Sequence, residues 1–262
     1  MHPFANSNRG DDENRIIMIE YTHSQNTHTL AGPEAAFPVV LRHIRTPVRS
    51  LVDVGCGTGP WLRAARLNGI DDIQGLDGVL APDEELAVSG DVIHVVDFTE
   101  PLPLARRFDV ALCLEVAEHL EEQFAARIVC TLANLANTVV FSAACPGQPG
   151  QHHVNCQWPA YWQSLFNAHG FVCNDDVRWA LWDLAAVEPW YRQNMFVATC
   201  DPAAAGKEDR MPSVLHPDMA LMSVMLREHR EKQIREIQAG SLPVWWYILT
   251  PLKAITAKIR RH

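Results

Sequence analysis

The hydrophobic pattern of the chain alternates between short apolar runs and longer stretches in which apolar residues recur at helical spacing. Runs of strand length are predicted at residues 50–54, 73–76, 92–96, 108–114, 138–143, 171–177 and 195–200. Between the fourth and fifth runs one apolar stripe marks a helix, formed by Leu120, Phe124, Ile128, Leu132 and Leu135. Strands that alternate with helices favour an α/β fold, with a mostly parallel sheet and helices on both faces.

This pattern divides the chain into three regions. Residues 1–22 are polar and predict a disordered or flexible N-terminus. Residues 23–200 hold the strands, and further helices are predicted there at 33–43, 60–68 and 161–169. Residues 201–262 predict a helical C-terminal extension, whose long helix at 217–238 begins at Pro217 and is followed by Gly240.

The composition fits one globular domain with elaborations: 262 residues, 48% of them hydrophobic, with a formal net charge of −9. A negative surface repels phosphate backbones, so extensive nucleic-acid binding is disfavoured. Seven cysteines without a C-x-x-C pair argue against a disulfide framework or a zinc knuckle and suit a reducing cytoplasm. The first thirty residues lack the apolar segment of a secretory signal, and no run approaches the length of a membrane span.

The clearest candidate for ligand binding is a glycine turn after the first predicted strand. Residues 51–59 read Leu-Val-Asp-Val-Gly-Cys-Gly-Thr-Gly, and Pro60 suits the first position of the helix that follows. Gly55 and Gly57 can take positive φ and leave no Cβ between the backbone and a ligand. The alternative is an ordinary strand–turn–helix corner, but such a turn also brings bare backbone against nucleotide-like ligands.

A second motif lies at the fourth predicted strand, where residues 108–120 read Phe-Asp-Val-Ala-Leu-Cys-Leu-Glu-Val-Ala-Glu-His-Leu. With the G-x-G-x-G turn, this E-V-x-E-H-L string resembles the class I S-adenosylmethionine-dependent methyltransferases over about residues 48–200. Among them it is similar to the ubiquinone-pathway and sugar O-methyltransferases. The resemblance implies a Rossmann-like, seven-stranded, mostly parallel sheet with an antiparallel last strand, and S-adenosylmethionine as the cofactor.

The resemblance also assigns the cofactor contacts to positions of this chain. The carboxylate of Asp77, 18 residues after Gly59, is expected to accept hydrogen bonds from the ribose hydroxyls. Asp97 is expected to receive the adenine amino group, and Phe98 to line the ring. The other expected contacts come from the glycine turn, the acid before it and the end of the fourth strand: Asp53, Gly55, Cys56, Gly57, Gly59 and Glu115.

A candidate metal site follows the fourth strand. Glu115, Glu118 and His119 are spaced i, i+3 and i+4, so a helical turn would present them on one face. Two carboxylates and an imidazole are suitable ligands for Mg²⁺ or a similar cation, as in some relatives with this string. In the alternative, Glu115 contacts the cofactor region while Glu118 and His119 cap the helix and pair with each other.

The loop after the fifth strand, residues 144–159, lies where the family builds its acceptor site. Its two adjacent histidines, His152 and His153, are candidates for the general base, because imidazole accepts an alcohol proton near neutral pH. His153 is the first choice, and one of the two is also a candidate for completing the metal site. The alternative is that both only hydrogen-bond the loop or face solvent.

Two aromatic regions each allow two interpretations. Trp179, Trp182, Trp190 and Tyr191 suit the binding of sugar rings, or they cover the edge of the sheet. Residues 242–262 are apolar and Trp-rich, then basic, which suits contact with an anionic membrane surface. Packing on the protein's own core or on a partner subunit is favoured over this reading, because prolines interrupt the segment. Residues 214–238 are a candidate homodimer contact or lid.

The function predicted from these features is S-adenosylmethionine-dependent O-methylation of a small hydroxylated acceptor, with sugars and glycans as candidates. The fourth strand lacks the N/D-P-P-Y/F string of amide and nucleobase N-methylating enzymes, which favours oxygen over nitrogen. One alternative is RNA 2′-O-methylation, since some small-RNA methyltransferases use an E-x-x-E-H plus His cluster. The other is a non-catalytic module that binds partners. The predicted location is the cytoplasm, peripheral to the inner membrane if residues 242–262 bind lipid.

Overall fold

The computed structural model describes residues 29–100, 106–241, 243–246 and 249–250. The predicted N-terminal region, 1–22, and most of residues 242–262 lie outside the described residues. One seven-stranded sheet forms the centre of the described chain. Its strands are β1 Ser50–Val54, β2 Asp72–Asp77, β3 Ile93–Val95, β4 Val110–Leu114, β5 Thr138–Ser142, β6 Phe171–Asn174 and β7 Phe196–Cys200.

The strand order is β3-β2-β1-β4-β5-β7-β6. Strands β1 to β5 pair in parallel, whereas β7 is antiparallel to both of its neighbours. The central strands are buried on both faces: alternate residues of β4 point into opposite clusters, with Leu112 in one and Cys113 in the other. The predicted seven-stranded, mostly parallel Rossmann-like sheet is confirmed.

Seven helices are described, and those of the core cover both faces of the sheet. One cluster holds Phe37, Leu62 and Leu181, from three helices on one face. The other holds Ile128 and Trp162, from two helices on the opposite face. The helices are α1 Ala31–His43, α2 Pro60–Leu67, α3 Ala125–Leu135, α4 Pro159–Ala168, α5 Asp176–Leu181, α6 Pro189–Asn194 and α7 Pro217–Gln238.

Two predicted elements are wrong in part. The strand predicted at 171–177 ends at Asn174, because the Asn174 side chain accepts a hydrogen bond from the amide of Asp176 (2.7 Å) and the chain turns into α5. The helical turn predicted to carry Glu115 is a short 3-10 turn, Ala117–His119, which Glu115 precedes. Both errors lie at the end of a strand.

The C-terminal helix α7 has the predicted bounds and is held mainly at its start. His216 caps it by accepting a hydrogen bond from the amide of Asp218 (3.1 Å), and Asp218 pairs with Arg192 of α6 (2.6 Å). Met219 is the single buried residue of the 22. Among the described residues, no helix is long and apolar enough to cross a membrane.

Candidate active site

The glycine turn joins β1 to α2 in a conformation that requires glycine. Gly55, Gly57 and Gly59 have φ angles of 81°, 55° and 82°. A Cβ at Gly55 would lie 2.2 Å from a methyl group of Val116, and one at Gly59 would lie 2.7 Å from Val88. The side chains of Val116 and Val88 thus exclude any larger residue at Gly55 and Gly59, and the binding of a ligand by this turn stays a prediction.

Asp77 at the end of β2 lies directly beside this turn. Its carboxylate accepts hydrogen bonds from the amides of Gly57 (2.7 Å) and Val79 (2.9 Å). The amides of Gly55 and Cys56 both donate to the carbonyl of Leu76, at 2.7 and 3.0 Å. The structure thus brings the glycine turn and the predicted ribose-binding acid together.

Asp53 lies under the turn, inside β1. Burial, reinforced by the nearby charge of Asp77, raises the pKa of Asp53 to about 7. Its Oδ2 is buried without a hydrogen-bond partner among the described residues. An orphaned acidic oxygen beneath bare backbone is a fitting place for a cationic ligand with hydroxyl and amino groups, such as S-adenosylmethionine.

The other predicted cofactor residues are placed less directly. Cys56 is buried, and its Sγ packs against Gly75, where an added Cβ would lie 2.7 Å from the sulfur. Burial raises the pKa of the Cys56 thiol far above the usual range. It is a small packing residue. Asp97 is exposed after β3, and hydrogen bonds from Thr99 lower the pKa of its carboxyl. Phe98 is half-buried against the core.

Glu115 directly follows β4 in a left-handed conformation, with a φ of 58°. Such a conformation is strained for a residue with a side chain, so neighbouring contacts must hold it. Its carboxylate accepts hydrogen bonds from Gln148 (2.6 Å) and Asn194 (3.2 Å), and Asn194 also donates to Gln148 (2.8 Å). Burial raises the pKa of Glu115, and these hydrogen bonds oppose the rise.

Glu118, His119 and His153 form a compact cluster beside this network. One ligand atom from each lies within 4.8 Å of the other two. His153 Nε2 is 4.0 Å from Glu118 Oε1, and the two imidazole rings meet edge to face at 5.1 Å. The loop is fastened to this point because the amides of Val154 and Asn155 both donate to the carbonyl of Glu118.

Of the predicted metal ligands Glu115, Glu118 and His119, the structure groups the last two with His153, one of the histidines expected to complete the site. Glu115 uses its carboxylate on two carboxamides, and His153 takes its place in the cluster. The reason is the left-handed turn at Glu115, which breaks the helical spacing that the prediction assumed. His152 is exposed, and its contribution is a carbonyl that lies 3.4 Å from His119 Nδ1.

Burial shapes the electrostatics of the cluster. It raises the pKa of Glu118 well above the usual range, with further help from the charge of Glu115. Burial, together with His153, lowers the pKa of His119 to about 4, and burial also lowers that of His153. Both imidazoles are therefore neutral near pH 7, with lone pairs available.

Sequence reasoning missed the carboxamides that hold Glu115. Gln148 lies in the predicted acceptor loop, but Asn194 is the last residue of α6, 79 positions from Glu115. Its neighbour Gln193 accepts from the amide of His216 and approaches Cys145, which ties the start of α7 to the same loop. No local pattern in the sequence marks contacts over such separations.

The aromatic residues of 178–194 are partly packed inside the protein. Tyr191 is buried edge to face against Trp61 of α2, with ring centroids 5.2 Å apart, and Trp182 packs on His216 at 4.4 Å. Trp179 is 47% exposed. Tyr191 and Trp182 therefore pack within the protein, in line with the interpretation that these aromatic residues cover the fold, whereas Trp179 is exposed to solvent.

Comparison with known proteins bears on the same residues. A family model described as a methyltransferase domain matches residues 22–184, which is more than half of the chain. A search of curated proteins gives no significant match. Among solved structures, the sugar N-methyltransferase KedS8 from Streptoalloteichus sp ATCC 53650 has a TM-score of 0.52 at 18% identity, covering 77% of this chain and 99% of that one.

Two further solved structures are similar. CalS10 with bound SAM, an amino pentose methyltransferase from Micromonospora echinaspora involved in calicheamicin biosynthesis, has a TM-score of 0.48 at 17% identity, covering 66% and 92% of the two chains. Magnesium protoporphyrin IX methyltransferase (ChlM) from Synechocystis PCC 6803 with bound SAH has a TM-score of 0.46 at 18% identity, covering 66% and 84%. The matched family span includes the glycine turn and the E-V-x-E-H-L string, so the chain belongs to the methyltransferase domain family, as a class I S-adenosylmethionine-dependent methyltransferase.

Proposed function

We propose that the protein transfers the methyl group of S-adenosylmethionine to a hydroxyl oxygen of a small acceptor, with sugars or glycans as the acceptor class. The cluster of Glu118, His119 and His153 carries this proposal. A neutral alcohol becomes a useful nucleophile only as its proton leaves, so it needs a base or a cation. A neutral amine needs neither, and a site built for amines alone would not require this cluster.

The residues at the strand ends have defined roles toward the cofactor. S-adenosylmethionine, when bound, supplies a methyl group on a sulfonium, whose sulfur leaves the methyl carbon as a neutral thioether. Asp77, which lies beside the turn, would accept hydrogen bonds from the ribose hydroxyls, and the glycines of 55–59 would let the cofactor approach the backbone. Asp97 and Phe98 would receive the adenine. Glu115, fixed by two carboxamides, would face the methionine end.

His153 is the proposed general base. Its Nδ1 lies 3.2 Å from the carbonyl of Gln148 and would donate there, which leaves the lone pair on Nε2. That nitrogen faces Glu118, whose carboxyl can stabilise the imidazolium formed when the acceptor proton arrives. The side chain of His152 is exposed, and its backbone carbonyl lies near His119 Nδ1, where it would orient that ring.

A divalent cation held by the same cluster is the alternative to general-base catalysis, because the one free lone pair of His153, on Nε2, would then bind the cation and could not accept the acceptor proton. The ligand atoms of the cluster indicate which cation would fit. A bound cation would supply Lewis-acid activation of the acceptor hydroxyl. Two neutral imidazoles and one carboxylate suit Mn²⁺, Co²⁺ or Zn²⁺ better than Mg²⁺, which prefers oxygen ligands. Both oxygens of Glu118 are buried without a hydrogen-bond partner among the described residues, which a cation would remedy. For this alternative we therefore propose a transition-metal ion in place of Mg²⁺.

The proposed function is tested by methyl transfer from labelled S-adenosylmethionine to hydroxylated sugars, matched amino sugars and single-stranded RNA. We expect transfer to the hydroxylated sugars. If a cation activates the hydroxyl, EDTA should abolish transfer and Mn²⁺ should restore it better than Mg²⁺; if His153 is the base, transfer should persist in EDTA. Preferential methylation of the amino sugars or of RNA would replace the acceptor class. Cofactor binding without turnover on any acceptor would favour the non-catalytic module.

Variants separate the base from the cofactor site. His153→Ala should lower kcat by roughly 100-fold or more, as removal of a general base does, while cofactor affinity stays unchanged. Asp77→Asn should weaken cofactor binding. His229→Ala, an exposed histidine on α7, is the matched control and should retain full activity. Full activity of His153→Ala would remove that residue from the mechanism.

A further inference from the structure

A surface cavity of about 540 Å³ lies between α4 and residues 206–210. Its volume is in the range of small-molecule binding sites. The lining comes from the end of the acceptor loop, from α4 and from the segment after β7, and includes Gln157, Trp158, Tyr161, Ser164, Glu208 and Arg210. None of its ten described lining residues belongs to the predicted cofactor, base or metal set, so the cavity is a separate candidate site.

The charged residues of the lining are one acid and one base. The Glu208 carboxylate accepts hydrogen bonds from the Cys173 amide and the Asn167 side chain, but its Oε2 is buried without a hydrogen-bond partner among the described residues. Arg210 is exposed and has no ion pair within the described part of the chain. An anion would be repelled by Glu208 and a cation by Arg210, so the pair favours a neutral ligand. Hydroxyl groups could donate to the first and accept from the second.

Two aromatic side chains give the cavity an apolar part. Trp158 and Tyr161 are half-buried, and the buried Trp162 packs edge to face on Tyr161 with ring centroids 5.1 Å apart. Aromatic rings fixed in this way suit the flat, apolar face of a sugar ring. Ser164 and the carboxamide of Gln157 add neutral donors and acceptors for hydroxyls at the rim of such a ring. The combination favours a sugar ring over a purely apolar or a charged ligand.

The cavity begins where the acceptor loop ends. Gln157 Nε2 donates to Asn155 Oδ1 (3.1 Å), and the amide of Asn155 donates to the carbonyl of Glu118 (3.0 Å). Two hydrogen bonds therefore connect the lining of the cavity to the cluster that contains His153. From this end the lining continues along α4 as far as Asn167. A ligand in the cavity and a hydroxyl at the cluster could thus belong to one extended molecule.

We propose that this cavity binds a neutral sugar ring of an oligosaccharide acceptor, other than the ring that is methylated. The inference rests on the proposed function, since it names oligosaccharides, rather than single sugars, as the acceptor of the same reaction. Contacts with a second ring add binding energy away from the reacting hydroxyl, which should appear as a higher kcat/KM for longer acceptors.

Calorimetric titration of the full chain tests the binding without turnover. The probes are neutral gluco-, galacto- and manno-oligosaccharides of one to four rings. We expect at least one series to bind roughly tenfold more tightly once a further ring is present, a gain of about 1.4 kcal/mol. Oligomers of uronic acids or amino sugars should bind more weakly than the neutral ones.

Variants assign this gain to the cavity. Ser164→Met places a larger side chain at an exposed lining position and should cancel the gain from added rings. Arg210→Gln should reduce the gain. Ser241→Met is the matched control, because Ser241 is also exposed and, like Ser164, donates to a backbone carbonyl a few residues earlier. Arg227→Gln, at an exposed position of α7, is the control for charge. Both controls should bind as the unaltered protein does, and circular dichroism should be equal in all variants.

The outcomes separate this inference from the proposed function. Affinity that is independent of ring number, tighter binding of charged oligomers, equal losses in the controls, or no binding of any series would overturn the inference. So would methylation of single sugars and oligosaccharides with equal kcat/KM, which would leave the proposed function intact. Binding that increases with ring number and is lost in Ser164→Met, but without methyl transfer, would support the sugar site and reject the proposed reaction.

Discussion

At the scale of single residues, the fit between the acceptor loop and the end of β4 depends on a glycine that is not in the cofactor turn. A Cβ at Gly150 would lie 1.9 Å from His153 Nε2, so the ring occupies the space that a side chain would need. His153 is held from the other side by the carbonyl of Gln148. The position of the proposed base thus follows from the absence of a side chain three residues earlier.

Gly150→Ala should therefore displace the His153 ring without touching the cofactor turn. We expect kcat to fall by roughly tenfold to 100-fold, because small displacements of a catalytic group are costly, and cofactor affinity to stay the same. Gly90→Ala is the control, since its Cβ would meet neighbours at no less than 3.3 Å. Steady-state kinetics and calorimetric titration check both outcomes, and an unchanged kcat in Gly150→Ala would contradict the assignment.

At the scale of elements, the sequence predicts the strands and helices whose bounds follow from local apolar runs and from proline or glycine at their ends. The sequence predicts β1 at its observed bounds because a short, mostly apolar run ends there in a glycine turn, and α7 because Pro217 and Gly240 delimit it. The meeting of Asp77 with the glycine turn was predictable because carboxyl ends of parallel strands share one edge. The contact of Asn194 with Glu115 was not, because it joins residues 79 positions apart.

The segment after β7 offers a test at this scale. Glu208 accepts hydrogen bonds from the amide of Cys173 (3.0 Å) and the side chains of Asn167 (2.6 Å) and Gln163 (3.4 Å), and so ties the segment to β6 and α4. Although partial burial acts to raise it, these bonds lower the pKa of Glu208 from 4.5 to about 2. The carboxylate is therefore bound more favourably in the folded than in the unfolded chain.

A depressed pKa contributes stability that is present above about pH 4.5 and is lost as the pH falls toward 2. Glu208→Gln should lower the free energy of unfolding at pH 7, and the difference from the unaltered protein should shrink as the pH falls from 5 to 3. Urea unfolding at several pH values measures it. Glu84→Gln, at an exposed position, should show no such convergence. A constant difference at all pH values would contradict the role of the carboxylate.

At the scale of the whole molecule, the acidic residues of the chain include two that lie together at the predicted cofactor site. Two acids, Asp53 and Asp77, lie together under the glycine turn, and the nearby charge contributes to the raised pKa of Asp53. A cationic donor relieves that repulsion. Along the sequence the acidic residues all lie within residues 1–241, whereas residues 242–262 hold basic residues and no acidic one.

Cofactor binding should therefore raise the stability of the whole fold. At a concentration 100 times its Kd, S-adenosylmethionine should add about 2.7 kcal/mol to the free energy of unfolding, seen as an increase in Tm. Asp77→Asn should greatly reduce the increase, while Asp91→Asn, an exposed acid before β3, should preserve it. Equal increases in both variants would show that Asp77 makes no contact with the cofactor.

The length of α7 has a geometric consequence for whatever follows it. With 22 residues and a rise of about 1.5 Å per residue, the helix is about 33 Å long. Each residue also rotates the chain by about 100° around the helix axis, so a change in the number of residues alters both the length of the helix and the direction in which the chain leaves it. Deleting one full turn between Arg227 and Glu236 would shorten α7 by about 5 Å, and the chain would leave the helix in nearly the same direction. Deleting two residues would make the chain leave on the opposite side of the helix.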